Sequence, residues 1–309
     1  MTKRIKLLPH EREEVLSVQD VEQKIGWEIT AFNLPKTWEW TQGEGVTVAV
    51  LDTGADLEHE DLVDNLLPGK NFVNPKLPPQ DDQGHGSHVT GTICASNNKL
   101  GVVGVAPKTK VVPVKVLDNK GSGKLSDVSN GVIWAADQGV DFITMSLGSP
   151  NPSKILHDAI KYASSKGVVV WCAAGNAGKT HNIFYPAAHP ETIGIGAINE
   201  SFDRASFSCT GPDLDFLAPG VKILSTVPKN WYAILSGTSM ANPFAVGIGC
   251  LLLSYKRKKG LDLKLNNAQD YINFLKKYTI STNQFAGQHA FEGFGIIDPR
   301  KMEEWVKIF

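Results

Sequence analysis

Three stretches of this sequence combine residue types that can transfer an acyl group near neutral pH. In Gly237-Thr238-Ser239-Met240-Ala241 a serine stands among small residues that leave its hydroxyl accessible. The apolar run Phe244 to Leu253 that follows reads as a buried helix whose first turn tolerates Pro243. Ser239 is therefore expected at a helix N-terminus, where free backbone N–H groups and the helix dipole favour developing negative charge. A serine that merely caps its helix would explain the pentapeptide as well. In Gly84-His85-Gly86-Ser87-His88-Val89-Thr90-Gly91-Thr92 two histidines lie three residues apart. A zinc pair would favour i, i+4 spacing with a nearby carboxylate, and the His-Glu-x-x-His pattern is absent. A structural role suits His88, inside the expected helix, and a general base suits His85, at the loop-to-helix junction. The third stretch is Val46 to Leu51 closing on Asp52-Thr53-Gly54, which puts a carboxylate at the end of an apolar run. A serine oxygen becomes a useful nucleophile when an imidazole takes its proton, and a buried carboxylate orients that imidazole. Ser239, His85 and Asp52 supply one of each.

Such groups need a scaffold that brings distant residues together. Val46 to Leu51, Val111 to Leu117, Val140 to Met145, Val168 to Ala174 and Thr192 to Ile198 are apolar enough to be strands buried on both faces. Between them lie helical stretches such as Leu125 to Gln138 and Ser153 to Lys166. This alternation describes an α/β fold, a doubly wound and mainly parallel sheet with helices on both faces. Ligand sites gather at the C-terminal ends of such strands, and Asp52, Ser146 and the turn Ala173-Ala174-Gly175-Asn176 fall there.

The 309 residues are 42% hydrophobic and 20% charged, enough for one large core. A net charge of -1 gives no electrostatic reason to expect a nucleic acid or an anionic membrane as partner. No segment has the length of a membrane span, and Met1-Thr2-Lys3-Arg4 is not followed by an apolar signal region, so the reading is cytoplasmic. Cys94, Cys172, Cys209 and Cys250 show no CxxC spacing and read as free thiols. None has a loop context like that of Ser239, which argues against a cysteine nucleophile. The N-terminus is charged apart from the knot Ile5-Lys6-Leu7-Leu8-Pro9, which suits an extended segment on a sheet edge or in a groove, or else a disordered tail. The basic run Lys256 to Lys259 reads as a solvated helix end.

The order Asp, His, Ser along the chain resembles that of the subtilisins. The matching segments are Val48 to Gly54, Gly84 to Val89, Gly101 to Pro107, Met145-Ser146-Leu147-Gly148, Ala173 to Asn176, and Gly237 to Ala241. The resemblance implies a serine endopeptidase acting through an acyl-enzyme, with Ser239 as nucleophile, His85 as base and then acid, and Asp52 as orienting carboxylate. It implies that Asn176 and the Ser239 backbone N–H stabilise the oxyanion. A peptide substrate would add as a strand along Gly121-Ser122-Gly123 and Ser146-Leu147-Gly148, with Ala173, Gly175 and Phe184 as further substrate-binding residues. Phe184 stands at the back of the primary pocket, where relatives often carry a small residue, and a small or medium P1 side chain is expected in preference to Phe or Tyr.

The same resemblance implies a structural calcium ion held by the side chains of Asp61 and Asn98 and the carbonyls of Ser96, Leu100 and Val102. The sequence is most similar to the intracellular subtilisins, which carry a short inhibitory N-terminal extension. Leu7-Leu8-Pro9-His10 corresponds to their blocking motif, with a histidine in place of an aromatic residue. The implied division is an extension over residues 1–22 and a peptidase domain over 23–309, with a homodimer as a family expectation. Phe244, where the family usually has histidine, is expected to be a packing residue. A protease dedicated to one partner, or a non-catalytic peptide-binding scaffold, are the alternative readings.

Overall fold

The computed structural model describes residues 3–17, 22–178 and 182–301. Two extended segments come first, β1 (Arg4–Leu7) and β2 (Glu11–Ser17), separated by Leu8-Pro9-His10. Pro9 has no N–H to continue a ladder, which explains the break. The short helices α1 (Trp27–Ala31) and α2 (Leu34–Thr37) lead into β3 (Thr47–Asp52), buried beyond its first residue. There follow β4 (Lys70–Asn71), α3 (His85–Cys94), β5 (Lys110–Lys115), β6 (Ser122–Lys124) and α4 (Leu125–Asp137). Next come β7 (Phe142–Met145), β8 (Leu147–Gly148), α5 (Lys154–Ser165), β9 (Val169–Ala173) and β10 (Thr192–Ile198). The remainder is β11 (Phe216–Pro219), β12 (Ile223–Val227), β13 (Trp231–Ser236), α6 (Thr238–Lys259), α7 (Ala268–Leu275), β14 (Thr279–Ile280), α8 (His289–Glu292) and β15 (Ile296–Ile297).

Among the described residues the central sheet has the order β14-β15-β11-β10-β9-β7-β3-β5-β4, parallel throughout except where β14 meets β15. The five apolar runs read from the sequence are β3, β5, β7, β9 and β10. The doubly wound α/β architecture follows from them, with α3 packed on α6, α4 packed on α5, and both pairs on the sheet. From β3 the chain moves to β5 on one side and then to β7 on the other, so the topological switch lies at β3. Asp52 is its last residue, at the strand end where such folds place their ligands.

Helix α6 begins at Thr238, so Pro243 is its sixth residue and not part of the first turn as the sequence suggests. The early start is a tertiary effect. Gly237 is extended, and the Asn176 side-chain oxygen accepts both the N–H and the hydroxyl of Thr238, at 2.9 and 2.7 Å. Lys256 to Lys259 occupy the last turn of α6, where cations suit the negative end of the dipole. The four cysteines are buried and unpaired, and burial pushes the Cys94 thiol up to about 12. Phe244 is fully buried with its ring 5.3 Å from that of Phe32, as a packing residue should be. No helix among the described residues is long and apolar enough to cross a membrane.

Candidate active site

Asp52 ends β3, and His85 and Ser239 stand in the first turns of α3 and α6, two helices packed on each other; all three side chains are buried. Asp52 Oδ1 accepts the Thr53 N–H at 2.7 Å, and the two carboxylate oxygens lie 2.9 and 3.0 Å from His85 Nδ1. A carboxylate on Nδ1 keeps the proton on that nitrogen and leaves Nε2 as the base. His85 Nε2 is buried and makes no hydrogen bond with the described residues.

The placement of His85 is secured by a residue the sequence reading passed over. Asp81 Oδ1 accepts from Thr53 Oγ1 at 2.8 Å and from the N–H groups of Gln83 and Gly84 at 2.9 Å. Its Oδ2 accepts from the N–H and the hydroxyl of Ser87, at 2.9 and 2.7 Å. One carboxylate thus ties the residue after Asp52 to the first turn of the helix that starts with His85. Gly86 completes the junction: its N–H donates to Thr53 Oγ1 at 2.9 Å, and a Cβ there would lie 2.1 Å from the Gly54 carbonyl oxygen. His88 is the structural histidine of the pair. Its Nε2 lies 3.1 and 3.0 Å from the carbonyls of Ile223 and Ala233, and burial, then His85, depress it to about 3.

Ser239 is the second residue of α6, where an N–H has no intrahelical acceptor. Its hydroxyl donates to the Ser146 carbonyl at 3.3 Å, while the Ser146 hydroxyl donates to the Ser239 carbonyl at 3.1 Å. Asn176 stands just beyond β9. Because its Oδ1 is taken by Thr238, its Nδ2 is directed to the cleft, where it donates to the carbonyl of Pro9 at 2.5 Å.

The N-terminal segment therefore lies in the cleft. β1 runs antiparallel to both β6 and β8, with Ile5 opposite Gly123, Lys6 opposite Ser122 and Gly148, and Leu7 opposite Leu147. The Leu7 N–H also donates to the Gly121 carbonyl at 2.8 Å. Gly121-Ser122-Gly123 and Leu147-Gly148 thus flank this chain's own N-terminal strand. The buried side chains are Ile5 and Leu8, three apart, while Leu7 is half-buried and Lys6 exposed. Leu8 lies against Gly148, where a Cβ would come within 3.0 Å of Leu8 Cδ2 and 3.4 Å of Phe184 Cβ. The Phe184 ring leans on Gly175, where a Cβ would lie 3.0 Å from ring carbon Cγ. Ala173, the last residue of β9, is fully buried beneath that turn. The His10 ring lies 4.9 Å from the ring of His85, and its Nδ1 is 3.2 Å from the Leu8 carbonyl oxygen. Past His10 the chain pairs as β2 with β13, with Glu11 opposite Ser236. Residues 18–21, next to the expected boundary at residue 22, lie outside the described residues, as do residues 302–309 at the other end.

In the loop 96–102 the carbonyls of Ser96, Leu100 and Val102 converge on one atom, Gln23 Nε2, at 2.9, 3.3 and 3.1 Å. Asp61 Oδ1 accepts from Asn98 Nδ2 and its Oδ2 from the Val102 N–H and Tyr232 hydroxyl, each at 2.9 Å. The Asn98 oxygen is engaged by the Leu100 N–H at 2.9 Å. The five residues expected at a metal are thus adjacent, and Gln23 joins them.

Residues 43–295 match the family model described as the subtilase family. Over its full length the chain is 36% identical to an intracellular serine protease of Paenibacillus polymyxa, covering 95% of that protein. The chain belongs to the subtilase family. Subtilisin E of Bacillus subtilis (strain 168) is 48% identical over 216 residues, 69% of this chain and 56% of that protein. M-protease of Shouchella clausii (strain KSM-K16) is 44% identical over 241 residues, 78% of this chain and 62% of that protein. This subtilase is a serine endopeptidase.

Three residues of these arrangements escape the sequence reading. Asp81 had a usable signal, an acid four residues before the first histidine of a Gly-rich helix start, where carboxylates take up free N–H groups. Gln23 had none, since a lone amide among charged residues does not announce three carbonyls from a distant loop. Thr238 reads in the sequence as a small neighbour of Ser239, yet its bonds to Asn176 decide which end of that amide faces the cleft.

Proposed function

We propose that this subtilase cleaves peptide bonds with Ser239 as nucleophile, His85 as base and then acid, and Asp52 as the carboxylate that holds the imidazole, and that residues 4–17 keep it latent until they leave the cleft. The observation that carries the reading is the hydrogen bond from Asn176 Nδ2 to a peptide carbonyl, in a segment paired as a strand on both sides. A substrate laid along the same edges brings its scissile carbonyl to Ser239. The Ser239 hydroxyl turns from the Ser146 carbonyl to His85 Nε2, passes its proton there, and its oxygen bonds to the carbonyl carbon. Asn176 Nδ2 and the Ser239 N–H meet the oxyanion. His85 then protonates the departing amine, and water repeats the sequence to free the acid and Ser239. A fluorophosphonate probe tests this. Wild type should label at one serine and Ser239→Ala at none; labelling of Ser239→Ala would refute it. In a peptide panel, Leu at P1 should outpace Phe, since Leu8 is the side chain seated against Gly148 beside Phe184.

Latency is supported by register. With Leu8 in the buried position, the carbonyl due at Ser239 is that of Leu8, yet it accepts from His10 Nδ1, and the Pro9 carbonyl one residue on meets Asn176. His10 also makes the segment's hold depend on pH. Burial first, and then His85, hold its imidazole below the ordinary 6.5. Above pH 6.5 the ring is neutral whether the segment is seated or free, and the hold is full. Below it the free segment takes a proton that the seated one resists, so the hold weakens as pH falls. The labelling rate of the full chain, divided by that of His10→Phe, should rise severalfold between pH 7.5 and about 5.5. An unchanged ratio would remove His10 from the latch.

We infer that the loop 96–102 holds a stabilising calcium ion. Asp61, Asn98 and the carbonyls of Ser96, Leu100 and Val102, with the Gln23 amide turned to present its oxygen, form the oxygen set a hard cation requires. Three carbonyls gathered on one point fit that use. A ligand that binds only the folded state adds about 4 kcal/mol at a thousand times its Kd. Chelation should lower Tm by about 5 °C or more, and Gln23→Ala should shrink that difference. An identical Tm with and without chelator would exclude the ion. The cytoplasm is proposed as its location, by extension from the relative in P. polymyxa.

A further inference from the structure

Pro243 stands four residues after Ser239 in α6. In a regular helix the amide at that position donates to the Ser239 carbonyl. Proline has no such hydrogen, and its ring crowds the carbonyl four residues back, turning it away from the helix axis. The Ser146 hydroxyl donates to that same carbonyl at 3.1 Å, from the residue that follows β7. Asn242, fully buried in α6, braces the contact: its Nδ2 donates to Thr144 Oγ1 on β7 at 2.8 Å and lies 3.5 Å from Ser146 Oγ.

We propose that Ser146 is a positioning residue, whose hydroxyl supplies the hydrogen bond that Pro243 denies to Ser239. The proline transfers the anchor of the Ser239 backbone from its own helix to the end of a central strand. When the Ser239 hydroxyl leaves the Ser146 carbonyl for His85, this second bond stays. It holds the Ser239 N–H and Cβ steady while the side chain rotates. The inference rests on Ser239 being the nucleophile.

The test is Ser146→Ala in the full chain, made alone and together with Pro243→Ala, with fluorophosphonate labelling rates and peptide kcat and KM as readouts. Ser146→Ala alone should lower kcat and the labelling rate tenfold or more with KM changed less than twofold. Made on top of Pro243→Ala, which restores an N–H to the helix, the same substitution should cost less than threefold. Equal losses in both backgrounds would overturn the proposal, as would a rise in KM at unchanged kcat, which would assign Ser146 to substrate binding. Ser239→Ala is the separate control: if it still labels, the nucleophile is misassigned, whereas a silent Ser239→Ala beside an unaffected Ser146→Ala defeats this proposal alone.

Discussion

Ser239→Ala should lower kcat by about a millionfold, the size of the loss on removing the nucleophilic serine of a subtilisin. The substitution deletes the attacking atom and leaves Asn176 and the backbone N–H in place. What remains should therefore be the 10³- to 10⁴-fold advantage over water that oxyanion stabilisation and binding give, again a subtilisin figure. His85→Ala should lose as much, and the double substitution little more, because a nucleophile without its base and a base without its nucleophile are equally idle. Stability should hardly move in Ser239→Ala, since the hydroxyl makes one long hydrogen bond, at 3.3 Å, worth about 1 kcal/mol at most. Burst kinetics on an activated ester, with a melting curve for each variant, check both statements. Losses that multiply in the double variant would mean that the two side chains act separately.

Leu8→Asp in the full chain should raise turnover at least about a hundredfold. Leu8 and Ile5 are 1% and 2% exposed in the seated segment. Burying such a side chain contributes about 1.5–3 kcal/mol, and a carboxylate in the same place forfeits that and is desolvated besides. A swing of about 3 kcal/mol is a hundredfold in occupancy of the cleft. Cutting the chain between Ser17 and Gln23 should reach the same ceiling once the freed segment diffuses away. Steady-state hydrolysis of a short chromogenic peptide measures all three forms. Equal rates would mean that the segment sits in the cleft without obstructing it.

The scaffold was readable because strands buried on both faces must be apolar almost throughout, as β3, β5, β7, β9 and β10 are. Asp52, His85 and Ser239 were readable because their chemistry demands those residue types at element ends. Details set by distant contacts were not. The start of α6 depends on Asn176, 62 residues from Thr238, and so the place of Pro243 was misjudged. Ile5 and Leu7 alternate as if to share one buried face. β1 ends at Leu7, however, and beyond it Leu8 is buried against Gly148 while Leu7 is left half-covered.

β1 is the middle of a three-stranded sheet, in the order β6-β1-β8. Adjacent strands are about 4.8 Å apart, so the slot between the two outer strands is about 9.6 Å wide and admits one extended chain. A helix, about 10–12 Å across with its side chains, or a hairpin does not fit. A protein substrate must therefore surrender a few residues of its own structure before it can be cut, and the free energy of that local opening adds to the barrier for cleavage. Among folded proteins offered to this enzyme, the order of digestion should then follow their local unfolding equilibria more closely than the identity of the residue at the cut.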